Sequence, residues 1–179
     1  MNLSEVSKLH KESSPASAGV YVLTCSTSKF KELRKKQQPD DVSGDIIAQL
    51  AANAGHRIAG RKLIPDSKSM IRNAMRAALA NRNVHVLIVT GGTGLSTTDV
   101  TFESISPLLD REIPGFGELF RKISYDEIGS PAMMSRAFAG TIKEKVVFCL
   151  PGSPNGVKTA MEKLILPELG HIIGLTHPS

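Results

Sequence analysis

Tryptophan is absent from this sequence of 179 residues, and aromatic residues together reach only 4%. A surface that binds single strands by stacking bases on aromatic rings is therefore poorly supplied. The net charge of +5 suits nucleic acid or anionic small molecules such as nucleotides and phosphates. With no base-reading motif present, specific nucleic-acid binding is not expected. Cysteine is scarce too. Cys25 and Cys149 each sit in an apolar run, YVLTC and VVFCL, with no Cys or His at zinc-ligand spacing. Both read as buried, reduced thiols that pack like small hydrophobes. No apolar run approaches the length of a membrane span. The opening segment MNLSEVSKLHKESSPASA has no signal-peptide core, so cytoplasmic residence and no membrane partner are expected.

What remains is an ordinary globular composition, 41% hydrophobic and 22% charged, enough for a single domain with a real core. The expected organisation is an arm over residues 1–17 and one α/β domain over 18–179. GVYVLTC reads as a first strand, followed by the polar, charged stretch STSKFKELRKKQQPDD ending at Ser43-Gly44. DIIAQLAANAG has helical spacing and stops at Gly55, and HRIAGRKLIPD supplies a second strand. Ser67 opens a helix with Ile71, Met75, Ala78 and Leu79 on one face. VHVLIVT is a strand apolar on both faces, as a covered parallel sheet requires. Helices are expected over Val100–Leu109 and Phe116–Ile123, broken by Pro114-Gly115. SPAMMSRAFAG reads as a short helix or turn, EKVVFCL as the fourth strand, and Asn155–Leu166 as the last long helix. Strands alternating with amphipathic helices predict a three-layer α/β/α fold, a mostly parallel sheet with helices on both faces.

In such sheets ligands bind beyond the carboxyl ends of the strands, and the chemically suggestive segments all fall there. TGGTG, Thr90 to Gly94, follows a buried strand; its glycines permit positive φ and let backbone amides approach an anion. Asp66 follows strand two and Asp99 ends the glycine loop. Two carboxylates at neighbouring strand ends can share a hydrated Mg²⁺ that carries triphosphate oxygens, although Asp99 also suits a helix N-cap and Asp66 a turn. Ser135 and Arg136, in PAMMSRAFAG, can donate to a phosphate. Pro151, Gly152 and Pro154, in PGSPNG, can cradle an anion at a helix N-terminus or form only a turn. The basic run Lys29 to Lys36 reads as a solvated face that could steer an anionic substrate. Gly92-Thr93-Gly94 lacks the third glycine of a dinucleotide fingerprint, and GHRIAGRK has Arg61 where a P-loop needs Lys. The five histidines are scattered and carry no expected role.

Taken in order, SGDIIAQL, LIPD, TGGTGLSTTD, FESISPLLDREIPGFGELFR, SPAMMSRAFAG and LPGSPNGV resemble the MoaB/MogA family of molybdenum-cofactor biosynthesis. The wording DREIPGFGELFR is closer to the MoaB branch. The resemblance implies an enzyme, a nucleotidyltransferase that joins molybdopterin to the AMP moiety of Mg-ATP and releases pyrophosphate. Some MoaB relatives bind pterin without adenylylating it, so a non-catalytic pterin-binding or carrier role is the alternative. By resemblance, Asp66 and Asp99 are the catalytic, Mg²⁺-holding acids and Ser135 is the pterin-site serine. Gly91, Gly92, Thr93 and Gly94 form the nucleotide loop. Ser43, Gly44, Arg136, Pro151, Gly152 and Pro154 complete the substrate-binding set. One departure stands out: MogA-type members commonly carry Arg-Asp where this chain has Thr98-Asp99. The family further implies a homotrimer or homohexamer and hand-off of product to a metal-insertion enzyme.

Overall fold

A computed structural model describes residues 17–176. Apart from Ser17, the expected N-terminal arm lies outside the described residues.

Six strands form one sheet in the order β2-β1-β3-β6-β5-β4. They are β1 (Gly19–Cys25), β2 (Arg57–Ile64), β3 (Val86–Thr90), β4 (Arg111–Glu112), β5 (Phe138–Ile142) and β6 (Lys145–Leu150). The first, second, third and sixth run parallel, pairing β1 with β2 and β3, and β3 with β6. The last two join antiparallel, β5 on β6 and β4 on β5. The helices are α1 (Thr27–Arg34), α2 (Val42–Asn53), α3 (Lys68–Ala80), α4 (Thr101–Ile105), α5 (Pro114–Ile128), α6 (Pro154–Ala160) and α7 (Leu166–Thr176). Tight turns at Ser106–Leu108 and Ser130–Met134 and a wider π-type turn at Met161–Ile165 complete the set.

The side-chain alternation of each strand divides the core in two. Val20, Val22, Val86, Ile88, Val146, Phe148 and Leu150 face α2, α5, α6 and α7. Leu23, Cys25, Leu87, Val89, Val147 and Cys149 face α3 and α4. Every residue of β3 is buried, which is why its sequence is apolar without alternation. Both cysteines are free and buried. Burial pushes the Cys25 thiol up to about 12, and the Cys149 thiol well above its ordinary value. No helix among the described residues is long and apolar enough to cross a membrane.

The three-layer, mostly parallel architecture is as expected, with several local corrections. The charged stretch after β1 contains α1, which buries no residue and so has no apolar face to betray it. Helix α2 begins at Val42, not Asp45, because Asp41 is its N-cap and accepts from the Gly44 amide. Ser67 occupies the N-cap of α3 without making a capping bond; its hydroxyl meets Ser69 Oγ at 3.2 Å. Pro114 starts α5 at its first turn, where a missing N–H costs nothing, instead of breaking a helix. The segment after Arg136 is the strand β5, not part of a helix or turn.

Candidate functional site

A cavity of about 710 Å³ opens at the carboxyl ends of the parallel strands. It is walled by the ends of β1 and β3, the first turn of α1, the loops after β2, β3 and β6, and the α5–Met134 segment.

The glycine loop, Thr90 to Gly94, forms part of its wall. Gly91 and Gly92 have φ of +93° and +64°, a region only glycine enters cheaply. A Cβ at Gly91 would lie 2.2 Å from the Cys25 carbonyl oxygen, and one at Gly92 would lie 2.5 Å from Thr101 Oγ1. Thr101 fastens the loop by donating its hydroxyl to the Gly91 carbonyl at 2.8 Å and its amide to the Gly92 carbonyl at 2.9 Å. The loop after β6 packs directly against it. A Cβ on Gly152 would stand 3.4 Å from Gly91 Cα, and Thr90 Oγ1 donates to the Pro151 carbonyl at 2.8 Å. Ser43 Oγ, from α2, donates to the Gly152 carbonyl at 2.8 Å.

The two acids lie against this loop at different glycines. Asp66 places Oδ1 against Gly92, where an added Cβ would lie 2.9 Å from it. Its Oδ2 accepts from the amide and hydroxyl of Thr27. Asp99 turns its carboxylate toward Gly94, where an added Cβ would lie 2.7 Å from Oδ2, and that oxygen accepts from the Ser96 amide at 3.1 Å. Asp99 is therefore not a helix cap: the N-cap of α4 is Val100, with no side-chain capping bond. Each acid is held through Oδ2, leaving its Oδ1 for a ligand.

Ser43, Asp66, Gly91, Gly92, Thr93, Gly94, Asp99, Ser135, Pro151 and Gly152 thus share one cavity. Gly44 and Pro154 are not on its wall. Gly44 packs against Asp41 and Thr24, whose side chains a Cβ would strike. Pro154 is the first residue of α6, which Ser153 caps by accepting from the Gly156 amide. Ser135 Oγ accepts from the Ala137 amide at 3.3 Å, which leaves the hydroxyl proton available.

Arg136 corrects the sequence reading most. It lines a separate cavity of about 420 Å³, and its guanidinium is committed to the chain. Nε donates to the Thr93 carbonyl at 3.2 Å, and Nη2 to the carbonyls of Gly94 and, at 3.2 Å, Asp99. Nη1 pairs with Glu103, and the charge lies 5.2 Å from the Phe102 ring centre. The Glu103 carboxyl is held below its usual range, first by that hydrogen bond from Arg136. Arg136 is a clamp on the carbonyls of the glycine loop, not a phosphate grip. Thr98 likewise turns to its own loop, pairing with Ser96 Oγ at 2.9 Å.

Sequence reasoning placed the segment after β1 at the strand ends, with Lys29 in a run that could steer substrate, but named no α1 residue for the site. It missed the α5 wall. Ser26, Thr27, Ser28 and Lys29 line the cavity, as do Ser124 and Glu127. The dense Ser-Thr-Ser-Lys run directly after β1 was the available signal, hidden because the segment carries no glycine and no helical periodicity. Glu127 accepts from Thr159 and from Lys163 Nζ at 2.7 Å, and these bonds, that from Lys163 foremost, lower its pKa.

Fold and cavity together define a doubly wound α/β domain in which a cavity at the carboxyl ends of the parallel strands brings a glycine loop and two acids together. Residues 21–171 match the model of a family described as "Probable molybdopterin binding domain", and the chain belongs to that family. It is 46% identical over 164 residues to molybdenum cofactor biosynthesis protein B of Bacillus cereus, covering 91% of this chain and 93% of the relative. Over 153 residues it is 39% identical to the probable molybdopterin adenylyltransferase of Methanocaldococcus jannaschii, covering 86% and 90%. The crystal structure of the tungsten cofactor synthesizing protein MoaB from Pyrococcus furiosus matches with a TM-score of 0.80 at 37% identity, covering 90% of this chain and 98% of that one. The resemblance drawn from the sequence, and the fold class with it, are borne out.

Proposed function

We propose that this chain catalyses the Mg-ATP-dependent adenylylation of molybdopterin. The observation that carries the reading is that Asp66, against Gly92, and Asp99, against Gly94, line one cavity with the glycine loop. It is supported by the likeness to a relative named as a probable molybdopterin adenylyltransferase.

An oxygen of the pterin's terminal phosphate attacks the α-phosphorus of ATP. A new P–O bond forms, the α–β bridging bond breaks, and pyrophosphate leaves. Such transfers need positioning and charge stabilisation more than covalent participation by the protein. The loop from Gly91 to Gly94 seats the nucleotide against bare backbone, which the two positive-φ glycines make possible. Thr101 and Arg136 hold the loop through its carbonyls. The Gly91 amide is spent on the Leu150 carbonyl at 3.1 Å, which leaves the amides from Gly92 onward to meet substrate.

Mg²⁺ commonly takes one or two carboxylates and completes its shell with water and substrate phosphates. Asp66 and Asp99, each with one oxygen anchored and one to spare, fit that demand and would hold it. When bound, the ion neutralises charge on the triphosphate. The Ser135 hydroxyl, on the segment after α5, binds the pterin half.

The deciding experiment is pyrophosphate release from Mg-ATP with and without molybdopterin. Pterin-dependent release supports the proposal. Tight pterin binding with no release would make the chain a carrier instead.

A further inference from the structure

The charge balance of the cavity points to one more residue. Its charged lining among the described residues consists of Lys29, Asp41, Asp66, Asp99 and Glu127. The acids are accounted for. Asp41 caps α2, accepts from Thr24 Oγ1 at 2.8 Å and faces Arg61 at 3.5 Å. Glu127 is paired with Lys163, and Asp66 and Asp99 lie against the glycine loop. Arg136, the guanidinium nearest in sequence to the site serine, is spent on loop carbonyls and Glu103. Lys29 is thus the one Lys, Arg or His among the described residues that lines the cavity.

Its surroundings leave it available. Nζ donates to the carbonyl oxygen of Asp40, a neutral acceptor that uses one of three ammonium protons. No carboxylate among the described residues lies within ion-pair distance. Lys29 belongs to the first turn of α1, where its amide donates to the N-cap Ser26 at 3.4 Å. Two residues before it, Thr27 grips Asp66. The backbone that carries Lys29 is therefore tied to Asp66, one of the two acids read as facing the triphosphate.

We infer that Lys29 binds the phosphate chain of the nucleotide and stabilises the charge that builds on the departing pyrophosphate. This rests on the adenylylation reading and adds to its metal ion a cationic side chain. A flexible ammonium suits the role, because it can leave a backbone carbonyl and follow the leaving group as a point charge.

The test titrates Mg-ATP, and separately Mg-pyrophosphate, into the full chain and into Lys29→Met, Lys29→Arg and Lys31→Met. Lys31 is exposed and off the cavity wall, so it controls for general basic steering. Loss of a charge-assisted phosphate contact should weaken both titrations of Lys29→Met by roughly 10- to 100-fold. Lys29→Arg should recover most of that loss, Lys31→Met should match wild type, and molybdopterin affinity should be unchanged throughout. Single-turnover pyrophosphate release at saturating ATP should also slow in Lys29→Met. If Lys29→Met binds ATP and pyrophosphate like wild type, the inference fails while the adenylylation reading stands. If its molybdopterin affinity falls instead, Lys29 belongs to the pterin half and the inference is wrong. If wild type itself binds neither Mg-ATP nor Mg-pyrophosphate, the adenylylation reading fails first and this inference with it.

Discussion

Thr27 and Asp66 clasp each other through three hydrogen bonds. The Thr27 amide and hydroxyl each donate to Asp66 Oδ2 at 2.8 Å, and the Asp66 amide donates back to Thr27 Oγ1 at 3.0 Å. The end of β2 and the start of α1 are thereby locked together across 39 residues of chain. Thr27→Val keeps the shape and removes the hydroxyl, leaving Asp66 with only the amide donor. Adenylylation should slow by about 10-fold, less than in Asp66→Asn, since the acid is loosened and not lost. Single-turnover kinetics on the two variants would show the ordering; equal rates for Thr27→Val and wild type would mean the clasp is only structural.

The two halves of the site should come apart under mutation. Asp99→Asn should keep its fold and its molybdopterin affinity while turnover falls about 10²-fold or more, as misplacement in positioning chemistry does. Asp66→Asn should behave in the same way. Ser135→Ala should weaken pterin binding first. Pterin titration beside pyrophosphate release separates these outcomes, and wild-type turnover by Asp99→Asn would remove it from the metal-holding set.

Gly91→Ala should be poorly tolerated. The new methyl meets the Cys25 carbonyl at 2.2 Å with φ at +93°, a backbone element that cannot swing aside. A cost of about 1–3 kcal/mol is expected from the backbone conformation alone, with more from the clash. Denaturant unfolding of the variant against wild type gives the number.

Much of this architecture could be read before any coordinates, and the misreadings have physical causes. Strand β3 and helix α3 announced themselves because each buries a full face. Helix α1 buries none, so it left no periodicity. Strands β4 and β5 form the antiparallel edge; β4 is two exposed residues, and β5 mixes Gly and Thr into a run too short to alternate clearly. The acids and glycines of the cavity were legible because they stand in turns directly after strands, where the fold gathers its loops. Arg136 was not, since an arginine that holds carbonyls and one that grips phosphate are written with the same letter.

The Arg136–Glu103 pair makes a pH prediction. Glu103 has its pKa lowered from 4.5, chiefly by the Arg136 hydrogen bond. A carboxyl with a depressed folded-state pKa contributes stability above its unfolded value and loses that contribution as pH falls through the folded one. The stability gap between wild type and Glu103→Gln should therefore be constant near neutrality and shrink as pH drops below 4.5. Thermal unfolding from pH 7 to 3 measures it. A gap that grows on acidification would reverse the assignment.

The assembly is expected to be a cyclic trimer or a pair of stacked trimers, closed and symmetric as soluble homo-oligomers usually are. Light scattering over a dilution series should return a mass of three or six chains. A monomer or dimer that persists at every concentration would count against it.

The contact between Gly91 and Gly152 bears on how such a site can change over generations. On the Gly91 side no carbon can be added without striking the Cys25 carbonyl at 2.2 Å, so drift is blocked there. A Cβ on Gly152, by contrast, would stand at an ordinary contact distance of 3.4 Å. New ligand preferences must then arise elsewhere on the cleft. They can come from the Ser-Thr-Ser-Lys turn of α1 or from the Ser124–Glu127 wall of α5, where substituents can lengthen, shorten or switch charge without moving the glycine loop. Divergent relatives should keep the Gly91–Gly92 backbone nearly superimposable and record their differences in ligand choice along those two walls.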